Sequence, residues 1–203
     1  MHHRRLVDSL VQNSCINSGA RHRTPPGPDG AVKKYPALRN PLDNNYSEEM
    51  LGSVKVHIAA PPERLWSLVS DVTNTGRYSP ETFGAQWLGG ATGPALGASF
   101  RGHVRRNGKR WLVYWTKCTI TKCEPGRVFA FDVLGPRGMP WVTWSYLFEP
   151  AAFGTTVTES FELARSPVLR VYDLFASKSR TRTNVANMKT TLDRLKAVAE
   201  SLE

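Results

Sequence analysis

The sequence predicts an α+β fold: a seven-stranded, curved antiparallel sheet packed on a long C-terminal helix, with two short helices after the first strand. Three observations carry this reading. Between residues 53 and 163, seven runs are alternating or dense in apolar and β-branched residues. The last six are separated by Gly89-Gly90, Asn107-Gly108, Pro125-Gly126, Gly135-Pro136-Arg137-Gly138 and Phe153-Gly154, turn sequences that make consecutive strands antiparallel neighbours. The chain then switches period, and Val185, Met188, Leu192, Leu195, Ala199 and Leu202 recur every three or four residues along one helix face. One sheet face must be covered, and this helix is the only element large enough.

Taken in order, residues 53–58 form a half-buried strand, with Val54, Val56 and Ile58 on one face and Lys55 and His57 on the other. Ala60-Pro61-Pro62-Glu63 opens a helix, since proline is tolerated in a first turn. Leu65, Leu68, Val69 and Val72 supply its inner face, flanked by Trp66. Residues 73–80 read as a second short helix or turn ending at Pro80. The other strands are expected over residues 83–88, 98–106, 109–122, 128–134, 141–148 and 155–163. Ser166-Pro167 starts the helical tail, with serine as cap. The apolar stripe is missing over residues 177–184, which read SKSRTRTN. This gap predicts a short helix over 168–176, a break, and a long helix over 180–202. Val168, Val171, Tyr172 and Phe175 would then fold back as a lid over the open end of a cavity.

Of the 203 residues, 40% are hydrophobic, enough for one domain with a core. Residues 1–49 contain Thr24-Pro25-Pro26-Gly27-Pro28-Asp29-Gly30, Pro36, Pro41 and Asn44-Asn45 and no sustained period, so they read as a disordered tail. The folded domain is expected over residues 50–203. No apolar run is long enough for a transmembrane segment. Arg4 and Arg5 are followed by a stretch broken by Asp8, Gln12 and Asn13, which does not fit an export signal, so a cytoplasmic location is expected. The net charge is +10. Residues 1–49 hold seven basic and five acidic residues (+2) and residues 50–203 hold 20 and 12 (+8), so the folded part is itself basic and favours anionic partners. The three cysteines, Cys15, Cys118 and Cys123, form no disulfide framework. Cys118 and Cys123 lie five apart on one strand, an odd offset that puts them on opposite faces, so they do not converge on a metal. No cofactor is called for, and the oligomeric state is left open.

Three stretches resemble the polyketide cyclase/dehydrase branch of the START-like (SRPBCC, helix-grip) superfamily. The first is Asp71-Val72-Thr73 with Tyr78-Ser79-Pro80-Glu81. The second is Trp115-Thr116-Lys117-Cys118-Thr119-Ile120 with Glu124-Pro125-Gly126-Arg127-Val128-Phe129-Ala130-Phe131. The third is Gly154-Thr155-Thr156-Val157-Thr158-Glu159-Ser160-Phe161-Glu162. Asn184, Met188, Leu192, Leu195 and Lys196 match as well. The resemblance covers residues 52–200 and implies a helix-grip fold, with a cavity between sheet and helix. The superfamily includes lipid carriers, hormone receptors, aromatase/cyclases and regulatory proteins, and fold alone does not choose among them. The branch offers no catalytic signature to carry over residue by residue.

On the last strand Thr156, Thr158, Ser160 and Glu162 are polar and expected to face solvent. Alternation then turns Glu159 inward, between Val157 and Phe161. A carboxyl on an apolar face is costly unless paired and has a raised pKa, which suits a general acid or a ligand anchor. A structural ion pair with an inward arginine, or an exposed position near a curved sheet end, is the competing reading. The inner rows are expected to hold Phe129, Phe131 and Val133; Trp144, Tyr146 and Phe148; and Tyr114, Thr116, Cys118 and Ile120. With Phe161, Met188, Tyr172 and Phe175 they would line a cavity for a small apolar ligand. Trp111 and Trp115 would point away from Tyr114, so one of these two sets is misassigned or exposed. His57 and His103 fall on the polar alternations and are expected to face solvent.

Binding therefore ranks above catalysis: a carrier or sensor for a small hydrophobic molecule, lipid or polyketide-like. The enzymatic alternative is a polyketide cyclase/dehydratase with Glu159 as general acid and Tyr114 or Tyr146 orienting the carbonyl. A third alternative is a regulatory module binding nucleic acid through the basic run Arg101, Arg105, Arg106, Lys109 and Arg110. Weak aromatic interleaving and the lack of an RNA-binding signature make nucleic acid the less favoured partner. Lys178, Arg180 and Arg182 form a second basic cluster.

Overall fold

The computed structural model describes residues 51–106, 112–164 and 167–201, without the side chains of residues 51 and 165–180. The expected tail, the Asn107-Gly108 turn, Lys109, Arg110 and Trp111 lie outside the described residues, as do the side chains of Tyr172, Phe175 and Lys178.

Strand β1 (Leu51–Ile58) leads into helix α1 (Pro62–Ser70) and a 3-10 helix (Val72–Arg77). Then follow β2 (Thr82–Leu88), β3 (Ser99–Arg105), β4 (Val113–Glu124), β5 (Val128–Leu134), β6 (Pro140–Ala151), β7 (Gly154–Leu163) and helix α2 (Pro167–Glu200). All seven strands form one antiparallel sheet in the order β1-β7-β6-β5-β4-β3-β2. Consecutive strands are neighbours because their turns are short, whereas β1 pairs with the last strand. The two short helices therefore carry the chain from one sheet edge to the other.

Each short element has a local cause. Pro62 sits in the first turn of α1, where its missing N–H costs nothing. The Asp71 carboxylate accepts from Thr73 N (3.1 Å), Thr73 Oγ1 (2.6 Å) and Asn74 Nδ2 (2.9 Å), capping the 3-10 helix. At the β6–β7 turn, Gly154 has φ +148, and a Cβ there would run into the Ile58 carbonyl oxygen, so only glycine lets β7 start against the end of β1.

The core fills one end of the concave face. Leu65, Trp66 and Val69 of α1 meet Ile120, Phe129, Phe148 and Val157 of the sheet and Leu192, Leu195 and Ala199 of α2. Burying a leucine side chain completely, as at positions 65, 192 and 195, stabilises by roughly 1.5–3 kcal/mol. Trp66 Nε1 donates to the Val128 carbonyl (3.1 Å) and Thr155 Oγ1 to that of Ala60 (2.7 Å). The C-terminal end of α2 is tied to β1: Lys196 Nζ donates to the His57 carbonyl (3.1 Å) and to Glu200 (2.6 Å), which also accepts from Ala59 N (2.9 Å). The helix packs chiefly on β1 and β7, so the concave face of β3 to β6 is left partly uncovered. No described helix is long and apolar enough to cross a membrane.

Several expectations are corrected. The break over 177–184 does not exist: α2 is one helix from Pro167 to Glu200, and the separate lid falls with it. Apolar periodicity reports burial, not helicity. The segment contains no glycine or proline, and once nucleated a helix propagates through polar residues. Cys123 does not oppose Cys118. A β-bulge between Ile120 and Lys122 returns Cys123 to the register of Phe129, and both cysteines pack against the core. Thr158, on the outer face between Lys55 and Leu147 in the register, is buried, not solvent-facing. His57 is exposed as expected. His103 lies on the outer face but is half-buried between the Phe83 and Trp115 rings.

The continuity of α2 has a direct check. Ser177→Pro removes a hydrogen bond inside an unbroken helix and should cost about 3 kcal/mol. Far-ultraviolet circular dichroism should show lost helix and thermal melts a lower midpoint. An unchanged melt would mean the helix is interrupted there after all.

Candidate functional site: an apolar cavity with one buried carboxyl

The sheet register settles which side chains share the concave face. Cys118 opposes Val133, Ile120 opposes Phe131, Phe129 opposes Tyr146, Phe131 opposes Trp144, Tyr146 opposes Glu159 and Trp144 opposes Phe161. Between this face, the 3-10 helix and α2 lies a cavity of about 540 Å³, within the usual range for small-molecule sites. Of the residues singled out from the sequence, Tyr114, Thr116, Cys118, Phe129, Phe131, Trp144, Tyr146, Glu159 and Met188 line it. Phe148 and Phe161 face the same way but are buried outside the lining: Phe148 belongs to the core end, and Phe161 packs on the Trp144 ring at 5.4 Å.

Alternation does place Glu159 inward, and it is only 3% exposed. Its Oε1 accepts from the Tyr146 hydroxyl at 2.8 Å, while Oε2 meets no hydrogen-bond partner among the described residues. Burial pushes the carboxyl up to about 8, and the Tyr146 hydrogen bond only partly offsets this. Among the described residues no inward arginine pairs with it. Glu159 is thus chiefly a neutral acid at neutral pH, with Oε1 held by Tyr146 and Oε2 buried in the cavity wall without a partner among the described residues.

The other titratable groups are passive. Burial pushes the Tyr146 hydroxyl well above its usual value, and the Glu159 charge adds to this. Tyr78 is raised by burial in the same way. The Cys118 thiol is pushed up to about 12 by burial, so it is protonated and a poor nucleophile. Its sulfur lies 3.9 Å from Thr116 Oγ1, which donates to the Gly102 carbonyl at 3.3 Å. Among the described residues the lining has no histidine or lysine, and no three metal-ligating side chains converge.

Part of the lining was missed in the sequence. Phe100, Gly102 and Val104 alternate with Arg101, His103 and Arg105 on β3, a period-two signal that was available. Asn184, Asn187 and Thr191 sit around Met188 at helical spacing, and buried Asn184 and Thr191 bring polar groups to the apolar stripe. Tyr78 follows the 3-10 helix, where no periodicity marks a facing direction.

The mouth is marked by residues that line the cavity yet remain exposed: Tyr114 (38%), Trp115 (50%) and Trp141 (42%). Trp115 and Tyr114 point to opposite faces, as alternation requires. Both are partly exposed because β4 begins at this open end.

The titration of Glu159 should show in stability. Its folded pKa is about 8 against an ordinary 4.5. Between those values the unfolded chain releases a proton that the folded chain keeps, so stability falls as pH rises from about 4.5 to about 8. Every tenfold difference in proton affinity between the two states is worth roughly 1.4 kcal/mol. Glu159→Gln keeps an acceptor for Tyr146 and should flatten this slope in thermal melts across the window. An equally steep slope in the variant would assign it to other groups.

Three comparisons bear on this geometry. The family described as polyketide cyclase / dehydrase and lipid transport matches residues 52–200. No curated protein sequence matches the chain. Among solved structures, a polyketide-cyclase-like protein from Corynebacterium glutamicum is 29% identical, over 75% of this chain and 93% of that one, with a TM-score of 0.51. A di-domain ARO/CYC protein of the steffimycin biosynthetic pathway is 15% identical, over 75% of this chain and 52% of that one, at 0.59. An AHSA1-like protein from Aeromonas hydrophila is 20% identical, over 75% and 94%, at 0.51. The last two likenesses speak to fold alone.

Proposed function

Because this chain belongs to the polyketide cyclase / dehydrase and lipid transport family, we propose that its cavity binds a small hydrophobic molecule, lipid or polyketide-like, as carrier or sensor. The observation that supports this reading is an aromatic-lined cavity whose wall includes a buried carboxyl, Glu159, with Oε2 unpartnered among the described residues. Such a lining favours an apolar body, and the protonated carboxyl favours a ligand with one hydrogen-bond acceptor, such as a carbonyl or ester oxygen. Leaving Oε2 unpaired costs about 1–3 kcal/mol, and an acceptor on the ligand would recover it. A cytoplasmic location accords with this role.

A second reading is favoured by the same carboxyl. Glu159 lies in the cavity without a cationic partner among the described residues, as a cyclase or dehydratase acid requires. Its Oε2 proton would pass to a substrate carbonyl or departing hydroxyl, and Tyr146 O–H would steady the carboxylate left behind.

Native mass spectrometry of freshly purified protein, followed by extraction, should reveal a bound apolar molecule. Phe131→Trp, which fills the cavity, should lower its occupancy. Glu159→Leu should weaken uptake of the extracted ligand by about tenfold, the value of one hydrogen bond. Protein that is empty in every preparation and takes up no N-phenyl-1-naphthylamine would count against the binding reading. Turnover of an extracted polyketide that Glu159→Gln abolishes while binding persists would favour the enzyme.

A further inference from the structure

Six of the nine large hydrophobic side chains exposed among the described residues gather at one end of the sheet: Phe83, Val113, Tyr114, Trp115, Met139 and Trp141. This is the end where β2, β4 and β6 begin, where β3 and β5 finish, and where the cavity opens. Monomeric domains scatter such residues; a cluster marks a contact surface.

The same end is basic in a particular way. Lys55, Arg127 and Lys189 are matched to Glu149, Glu124 and Asp193, whereas the exposed Arg77, Arg182 and Arg194 form no ion pair among the described residues, so it is the clustering of unpaired cations that marks the mouth end. At the mouth end Arg101, Arg105, Lys117 and Arg137 are exposed, and no carboxylate among the described residues forms an ion pair with them. The acidic residues there are Glu81, Asp132 and Glu162; Asp132, diagonal to Lys117 across the sheet, accepts from Thr143 Oγ1 at 2.7 Å. Two of the four cations sit over aromatic rings. The Arg101 guanidinium is 4.5 Å from the Trp115 centroid and that of Arg105 is 4.9 Å from Phe83. The His103 ring sits between these aromatics, 4.1 Å from Trp115 and 4.2 Å from Phe83. The stack fixes the positive groups beside exposed apolar surface.

We propose that this end of the domain docks peripherally on an anionic lipid bilayer. Tryptophan and tyrosine with an apolar body and a polar edge suit the headgroup boundary, and unpaired arginine and lysine suit lipid phosphates. The apolar members decide between a membrane and nucleic acid. Met139, Val113 and Trp141 have nothing to meet on a sugar-phosphate backbone, whereas in a bilayer they would bury. The docked orientation turns the cavity mouth toward the lipid, so an apolar molecule would pass without crossing water. Docking itself rests on the surface; only this transfer rests on the binding reading above.

The test is flotation of the full-length protein with phosphatidylcholine vesicles, with and without phosphatidylglycerol. Binding should require phosphatidylglycerol and weaken at high salt. The double variant Arg101→Glu, Lys117→Glu should lower partitioning at least about tenfold, and Met139→Glu should lower it several-fold. Lys55→Glu, at the far end of the sheet, should leave it unchanged. None of these residues lines the cavity, so uptake of N-phenyl-1-naphthylamine without vesicles should persist in all three variants. Failure of uptake with intact vesicle binding would sink the binding reading and leave docking standing. Absence of vesicle binding, binding untouched by the mouth-end variants, or tighter binding of an oligonucleotide through the same arginines would overturn the docking proposal.

Discussion

A single helix cannot cover a seven-stranded sheet, and the rest of this structure follows from that mismatch. A helix with its side chains is about 10–12 Å across. Seven strands at about 4.8 Å spacing span close to three times that width. Helix α2 therefore commits to one side, over β1 and β7, where Leu192, Leu195 and Ala199 are wholly buried. Helix α1 closes one end through Leu65, Trp66 and Val69. What remains is the concave face of β3 to β6 near the open end, and the cavity lies there. It is a consequence of the architecture.

Within that uncovered region the protein keeps one expensive group. An ionised carboxylate among Phe129, Trp144 and Met188 would be untenable, so Glu159 answers by holding its proton, and the Tyr146 hydrogen bond fixes its orientation. A core designed for stability alone would have an apolar residue here. The same low polarity disables the other nucleophile, since Cys118 is held as a thiol. Beside Glu159 the lining includes Glu81, Arg106, Asn184, Asn187 and Thr191, a few polar groups in a mostly apolar wall.

Much of this was readable in advance because strands write their facing direction into alternate residues. The polar run Thr156, Thr158, Ser160 and Glu162 turned Glu159 inward, and the same rule ordered Tyr114, Thr116 and Cys118, then Phe129 and Phe131, then Trp144 and Tyr146. The rule fails where its assumption of a regular ladder fails. One bulge at Ile120/Lys122 was enough to turn Cys123 to the face it was not expected to share. It is also silent off the sheet, which is why Tyr78, though part of a family-like stretch, was not placed in the cavity. The gap in the stripe of α2 shows a different limit. The run Ser177 to Asn184 marks where the apolar stripe is interrupted, and that was mistaken for where the helix is interrupted.

The sequence by itself determined the elements, their antiparallel connections and the inward face of each strand, because these depend on local backbone preference and on a period that each segment carries alone. Only the tertiary structure decided that β1 pairs with β7, that α2 runs unbroken, that Phe148 and Phe161 are packed while Phe131 and Trp144 border open space, and that Glu159 meets Tyr146 rather than an arginine. These are relations between segments distant in the chain. They depend on how much of the sheet one helix can reach, a quantity that no single stretch of residues contains.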